Sequence, residues 1–132
     1  MTDTVAPDGS EIRHLAGSEE LATRSSLVEV RLSAGQVTVA IRHRTVEETW
    51  HIVAGSGEVW RSLPEVGSQV DRVAPGDTLV IPTGCAFQLS AGPDGLRFLC
   101  FTSPPWPGAE DAVALAEGAL GPPRLGARTR DS

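Results

Sequence analysis

The sequence lacks any long apolar segment. No run approaches the ~20 apolar residues that a membrane-spanning helix needs. The first residues, MTDTVAPDGSEI, are partly acidic and contain no apolar core of the kind found in a secretory signal. We therefore expect a cytoplasmic protein with no membrane partner.

Clustered basic residues are also lacking. The formal net charge is −6, whereas nucleic-acid binding depends on clustered Lys and Arg that release counterions. Arg124, Arg128 and Arg130 lie together near the end, in a segment interrupted by Gly and Pro. Nucleic acid is therefore not expected as a partner.

Cysteine is scarce, and several chemical motifs are missing. Cys85 and Cys100 lie in strand-like surroundings without an export signal, which favours two buried thiols over a disulfide. The chain has no Gly-rich phosphate loop, no Ser-nucleophile elbow, no CxxC pair and no zinc-finger spacing. The chemistry must come from other residues.

The 132 residues fit one domain, and 14 Gly with 10 Pro favour a turn-rich globular chain. We expect residues 11–121 to form that domain. Residues 1–10 are predicted to be a flexible leader, and residues 122–132 a flexible tail.

Short runs of alternating apolar residues, separated by Gly, Pro and Asp, predict an all-β sandwich or barrel. Side chains alternate between the two faces of a strand. In SLVEVRLSA this gives one apolar face, made of Val28, Val30 and Leu32. In QVTVAIRHR it places His43 on the face of Val37, Val39 and Ile41, opposite Thr38, Ala40 and Arg42.

The later segments predict turns and one helix. ETWHIVA presents Glu48, Trp50 and Ile52 together, and the Gly-Ser-Gly at 55–57 is predicted to close a hairpin. CAFQLSA and LRFLCFTS are predicted to pair across GPDG. Helical spacing in GAEDAVALAEGAL predicts a short C-terminal helix whose stripe is Ala109, Val113, Ala116 and Leu120.

Two motifs resemble the signatures of the cupin superfamily. The first cupin motif is Gly, five residues, His-x-His, three or four residues, Glu, six residues, Gly. Its positions here are occupied by Gly35, Ile41, His43, Glu48 and Gly55. The spacing is complete, but Ile41 replaces the first histidine.

The second cupin motif is Gly, five residues, Pro-x-Gly, two residues, His, three residues, Asn. Here Gly76, Pro82, Gly84, Phe87 and Ala91 fall in register, so Phe87 replaces the histidine. HRTVEETW and TSPPWPG also resemble small single-domain bacterial cupins of the mannose-6-phosphate-isomerase-like kind. The resemblance implies a double-stranded β-helix, or jelly-roll barrel.

The resemblance also bears on metal binding. Cupins that hold a metal typically use three histidines and one glutamate, of which only His43 and Glu48 remain here. A tight transition-metal site usually needs at least three protein ligands. We therefore expect no cofactor, with divalent metal weakly bound or absent. If an ion binds, its ligands would be His43 and Glu48, completed by Glu47 or water.

Three interpretations of His43 and Glu48 fit the sequence: a residual metal pair, an acid/base or ligand-orienting pair, and a structural hydrogen bond inside the barrel. An apolar enclosure would perturb both groups, which favours the acid/base reading. Alternation turns His51 away from this site, and His14 has no site-like motif around it.

An apolar cavity wall is predicted from five residues: Val39, Ile41, Trp50, Phe87 and Leu89. Such walls with few polar groups are typical of small-molecule sites, although the same side chains could simply fill a closed barrel. Alternation from Phe87 turns Gln88 outward.

Three functions fit these residues. The first is a metal-poor isomerase, epimerase or cyclase that uses His43 and Glu48. The second is a binding or sensor module in which the same residues only orient a metabolite, and the third is a metal-dependent oxygenase or isomerase. Edge strands and the apolar residues of SLVEVRLSA also predict a homodimer.

Overall fold

The computed structural model describes residues 4–16 and 24–125, and its regular structure is almost entirely β-strand. The strands are Thr4–Val5 (β1), Glu11–Ala16 (β2), Ser26–Leu32 (β3), Ile41–His43 (β4), Glu47–Leu63 (β5), Gly67–Val73 (β6), Thr78–Ile81 (β7), Ala86–Ser103 (β8) and Ala112–Ala114 (β9). A 3₁₀ helix spans Ala109–Asp111. No helix within the described ranges is long and apolar enough to cross a membrane.

Two long strands, β5 and β8, run through both sheets of a jelly-roll barrel. Residues 47–55 of β5 pair with 96–103 of β8 in one sheet, and residues 57–62 pair with 86–91 in the other. The first sheet continues through β3 to β2 and β1 on one side, and to β7 on the other. The second sheet adds β4 and β9 beside β8, and β6 beside β5. The predicted all-β jelly roll is confirmed.

The space between the sheets is filled by alternate residues of the strands. Val28, Val30 and Leu32 of β3 are buried as predicted, and Trp50 and Ile52 of β5 face the same interior. Cys85 and Cys100 are buried free thiols, again as predicted. Burial of large side chains from both sheets is the main favourable term that stabilises this barrel.

The glycines at 55–57 do not form the predicted hairpin, because β5 continues through them. The ladder with β8 shifts register here, and a Cβ on Gly57 would lie 2.2 Å from the carbonyl oxygen of Ser90. The two halves of β8 each pair with β5 and not with each other across residues 92–95. The glycines therefore bend one long strand between two sheets, as bulges do.

The predicted alternation over residues 36–44 is wrong before Ile41. Thr38 and Ala40 are buried, whereas Val37 and Val39 are only half-buried. Thr38 is held inward by hydrogen bonds: its Oγ1 accepts from the Leu89 N–H, and its carbonyl accepts from the Gln88 amide. Gln88 is consequently 1% exposed and does not point outward.

The predicted C-terminal helix is also wrong. Ala109–Asp111 is a single 3₁₀ turn, and the next three residues form β9 against β4. The Gln88 side chain then fixes the extended chain beyond β9, because it accepts from the Leu120 N–H and donates to the Gly121 carbonyl. Pairing with the barrel thus overrides helical spacing.

Residues 4–10 belong to the barrel wall in the structure, although the sequence predicted a flexible leader over 1–10. β1 pairs with β2, the Asp8 carbonyl accepts from the Val39 N–H, and Asp8 and Ser10 are buried. In the predicted tail, Arg124 pairs with Val37. Residues 1–3 and 126–132 lie outside the described part of the chain.

Candidate functional site

A cavity of about 200 Å³ lies between the two sheets. Five of the predicted site residues line it: Ile41, His43, Glu48, Trp50 and Phe87. Val39 and Leu89, predicted to belong to this wall, do not line it. Leu89 is buried in the hydrophobic core, and Val39 packs against that core. Val39 lies in the segment before β4, where the predicted alternation is wrong.

His43 and Glu48 meet in the cavity wall. Their Nε2 and Oε2 atoms are 3.0 Å apart, and the side chains are only 5% and 9% exposed. His43 ends β4 and Glu48 lies at the start of β5, so the loop at 44–46 brings them together across the two sheets. The predicted pair is therefore formed, while its chemical role remains a prediction.

The Trp50 indole and the Cys100 thiol both hydrogen-bond to Glu48. Its Oε1 accepts a hydrogen bond from Trp50 Nε1 at 2.7 Å. Burial raises the pKa of the Cys100 thiol well above its usual range, and the nearby charge of Glu48 adds to this. Cys100 is therefore a neutral thiol and not a nucleophile.

Asp111, which sequence reasoning missed, lies on the other side of the imidazole. Its Oδ2 is 3.6 Å from His43 Nδ1, and both atoms are buried without a hydrogen bond. Its Oδ1 accepts from the backbone N–H and hydroxyl of Thr45 and so fixes the loop after β4. Only an imidazolium can donate to Glu48 and Asp111 at once, since a neutral imidazole has one donor.

Aromatic rings surround this polar group. Trp50 stacks on Phe98 with centroids 4.5 Å apart and meets Phe87 edge-on. Trp106 lies edge-on to His43 at 5.1 Å. Trp106 was part of the TSPPWPG resemblance, but no periodicity could place it in the site, because it follows β8 in a segment without regular structure.

Asp8 is a second carboxyl that the sequence did not reveal. It lines the cavity and is 8% exposed. Burial raises the pKa of Asp8, hydrogen bonds from Ser10 oppose this, and the charge of Glu48 adds to it. No motif surrounds Asp8, so only tertiary structure could bring it to the site.

The remaining histidines and the extra glutamate occupy different places. His51 is exposed, with Nδ1 2.9 Å from Thr78 Oγ1. His14 lines the cavity, although no motif around it in the sequence indicated a site. Glu47 is exposed on the opposite face of β5 from Glu48, so it does not complete a ligand set with His43.

The side chains do not fit the metal centre that cupins usually carry. Ile41 and Phe87 occupy two ligand positions of the motifs with apolar groups, and both line the cavity. Within residues 4–16 and 24–125, no group of three or more His, Cys, Asp or Glu side chains has the arrangement of a metal site. We therefore derive no step of a reaction through a metal.

Comparison with known protein sequences finds a relative of this chain that is similar over most of its length. No family model matches it. It is 30% identical over 104 residues to the uncharacterized protein MJ1618 of Methanocaldococcus jannaschii, covering 77% of this chain and 79% of that protein.

Solved structures share the fold. Oxalate decarboxylase from Bacillus subtilis, determined at pH 4.6, matches with a TM-score of 0.76 and 22% identity over 86% of this chain. The coconut allergen cocosin matches with a TM-score of 0.68 and 17% identity over 78% of the chain. The chain spans only 30% and 28% of those two proteins. The oxalate decarboxylase has Mn(II) centres. The chain thus shares the fold of these proteins, and it belongs to the same family as the archaeal protein MJ1618.

Proposed function

We propose that the cavity binds a small uncharged or cationic metabolite and that His43 and Glu48 move a proton on it. The observation that carries this proposal is the contact of 3.0 Å between the two side chains in the cavity wall. An isomerisation, an epimerisation or a cyclisation would use such a step. The pair forms the reactive group, and the aromatic rings exclude water around it.

The size of the cavity supports a small ligand. Its volume of about 200 Å³ is roughly seven times the ~30 Å³ that one water occupies in the liquid. Sites for drug-sized ligands begin at about 300 Å³. A molecule of a few carbon and oxygen atoms therefore suits the space.

The charge of the wall supports an uncharged or cationic ligand. The described residues that line the cavity include Asp8 and Glu48 but no Arg or Lys. A phosphate or carboxylate would lack the basic partners that usually bind it. We therefore propose no phosphorylated substrate, although the sequence resembles mannose-6-phosphate-isomerase-like cupins.

The neighbours of His43 support proton transfer. Glu48, itself held by Trp50, fixes one side of the ring, and Asp111 faces the other. Carboxylates on both sides stabilise the imidazolium that forms when the ring accepts a proton. The pair could then remove a proton from a carbon next to a carbonyl and return it to the same or the neighbouring carbon.

Exchange of carbon-bound hydrogen tests this function. We expect the protein to accelerate deuterium incorporation from D₂O into dihydroxyacetone and hydroxyacetone, followed by proton NMR. Dihydroxyacetone phosphate should exchange no faster than without protein, because the wall lacks a basic residue to bind its phosphate. Faster exchange of the phosphate ester would contradict the charge argument. Binding of the neutral ketones without exchange would favour a sensor module instead.

We also propose the homodimer, supported by exposed apolar side chains on the outer face of one sheet. Val80 and Phe101 are 49% and 46% exposed and flank Thr49 on neighbouring strands. Light scattering should give twice the chain mass at micromolar concentration, and Phe101→Arg should reduce it to the monomer. A monomeric wild type would contradict this proposal.

A further inference from the structure

Asp8 is fixed to the barrel at several points. Its carbonyl accepts from the Val39 N–H at 3.0 Å, and the following Gly9 carbonyl accepts from Gln36 Nε2 at 3.0 Å. The turn around it is closed by a hydrogen bond from the Ala6 N–H to the Ser10 carbonyl. The side chain is thus held in the wall by the rigid support that a functional group needs.

Only one oxygen of the Asp8 carboxyl has a protein partner. Oδ1 accepts from both the N–H and the hydroxyl of Ser10, at 2.9 and 2.7 Å. Among the described residues no hydrogen bond reaches Oδ2, although the residue is 8% exposed and lines the cavity. Oδ2 is open to the cavity, so it is the atom of this carboxyl that a bound molecule would meet.

The groups around Asp8 come from four strands of the barrel. His14 on β2, His43 on β4, Glu48 on β5 and Cys100 on β8 line the same cavity. The charge of Glu48 disfavours ionisation of Asp8, and that of His43 favours it more weakly. Burial is the largest cause and raises the pKa of Asp8, while the two hydrogen bonds from Ser10 oppose this rise.

We propose that Asp8 is a second ligand-contacting acid of this site, which donates a hydrogen bond from Oδ2–H to an oxygen of the bound molecule. The proposal deepens the proposed function and rests on it for the reaction, but the hydrogen bond itself requires only that a ligand binds. A neutral aspartic acid in an apolar pocket can act in this way at neutral pH.

The reaction then has an acid and a base on different walls. The His43 and Glu48 pair accepts a proton from the carbon next to a carbonyl, and the C–H electron pair forms the C=C bond of an enol. The carbonyl oxygen takes the proton of Asp8, which becomes a carboxylate. When the pair returns its proton to the same carbon, Asp8 recovers its own proton from the enol oxygen. When the pair protonates the neighbouring carbon of an enediol, Asp8 takes the hydroxyl proton of the first carbon instead, and the new carbonyl forms there.

The protonation of Asp8 is measured on the ligand-free protein. Carbon-13 NMR of carboxyl-labelled aspartate should show one resonance that is still that of a protonated carboxyl at the pH of the exchange assay and that disappears in Asp8→Asn. If the Asp8 resonance is that of a carboxylate at this pH, the proposal is overturned.

Stability offers a second readout with a defined sign. Because the folded-state pKa of Asp8 is raised, its contribution to stability is present below the unfolded pKa of ~3.9 and is lost as pH rises through the folded value. The melting temperature of Asp8→Asn should therefore increase relative to that of wild type as pH rises from ~4. A difference between the two that is independent of pH would contradict a neutral Asp8.

Two substitutions distinguish the hydrogen bond that Asp8 donates to the ligand from the proton that it transfers. Asp8→Asn retains an N–H donor and should bind dihydroxyacetone nearly as well as wild type while its exchange rate falls. Asp8→Ala should weaken binding about tenfold, the usual worth of one such hydrogen bond, and Asp94→Asn should change neither. Equal binding by Asp8→Ala and wild type would overturn the proposal. If wild type shows no exchange, the proposed function fails, and the titration still decides the role of Asp8.

Discussion

Replacing His43 by glutamine should lower the rate of deuterium exchange into dihydroxyacetone by about 10²–10⁴-fold, the range that a positioned acid/base group supplies. Glutamine can still donate a hydrogen bond to Glu48, but it cannot accept and return a proton near neutral pH. Alanine is a poorer choice, because removing one partner of a buried pair costs about 3–5 kcal/mol and could unfold the chain. The exchange rate is measured by proton NMR.

His51→Gln is the matched control, since His51 lies on β5 and is exposed. It should retain the wild-type exchange rate. Glu48→Gln should also lose exchange, because the neutral amide no longer stabilises the imidazolium that His43 forms. A His43→Gln protein that melts like wild type and exchanges at the wild-type rate would remove His43 from the reaction.

Gly57→Ala should destabilise the barrel at the upper end of the range for overpacking, about 3 kcal/mol. A Cβ there would lie 2.2 Å from the Ser90 carbonyl oxygen, which is backbone and cannot rotate away. The free energy of unfolding in urea measures the loss. A hairpin turn at the surface would instead tolerate the methyl group.

Gly76→Ala provides the comparison. Gly76 has a positive φ of 97° but nothing within 4 Å of its Cβ position. The substitution there costs only backbone strain, about 1–2 kcal/mol. If Gly57→Ala lowers the free energy of unfolding no more than Gly76→Ala does, the backbones of β5 and β8 do not approach each other closely at Gly57.

Motif spacing and strand alternation predicted the barrel and the contact between His43 and Glu48. Gly, Pro and alternating apolar residues act locally, so a single sequence displays them. The pattern could not distinguish a hairpin from a bent strand at Gly57, because glycine suits both. That distinction depends on the approach of Ser90, a residue far along the chain.

The carboxyls of the site were not predicted from the sequence for a different reason. Asp8 reaches the cavity wall through the turn between β1 and β2, and Asp111 reaches His43 through the 3₁₀ turn. Neither turn has a clear sequence pattern. Helical spacing over 109–120 was misleading, since backbone pairing of Ala112–Ala114 with β4 outweighs a weak propensity. Sequence therefore identified the buried pair of His43 and Glu48 but not the carboxyls around it.

Exchange on metal-free protein tests most directly whether the side chains of His43 and Glu48 carry out the proton transfer. Exchange into dihydroxyacetone is followed on protein dialysed with a chelator, with metal content determined by elemental analysis of the same sample. We predict the full wild-type exchange rate with divalent metal far below one ion per chain. Exchange that disappears on chelation and returns when Mn²⁺ is added would contradict the account.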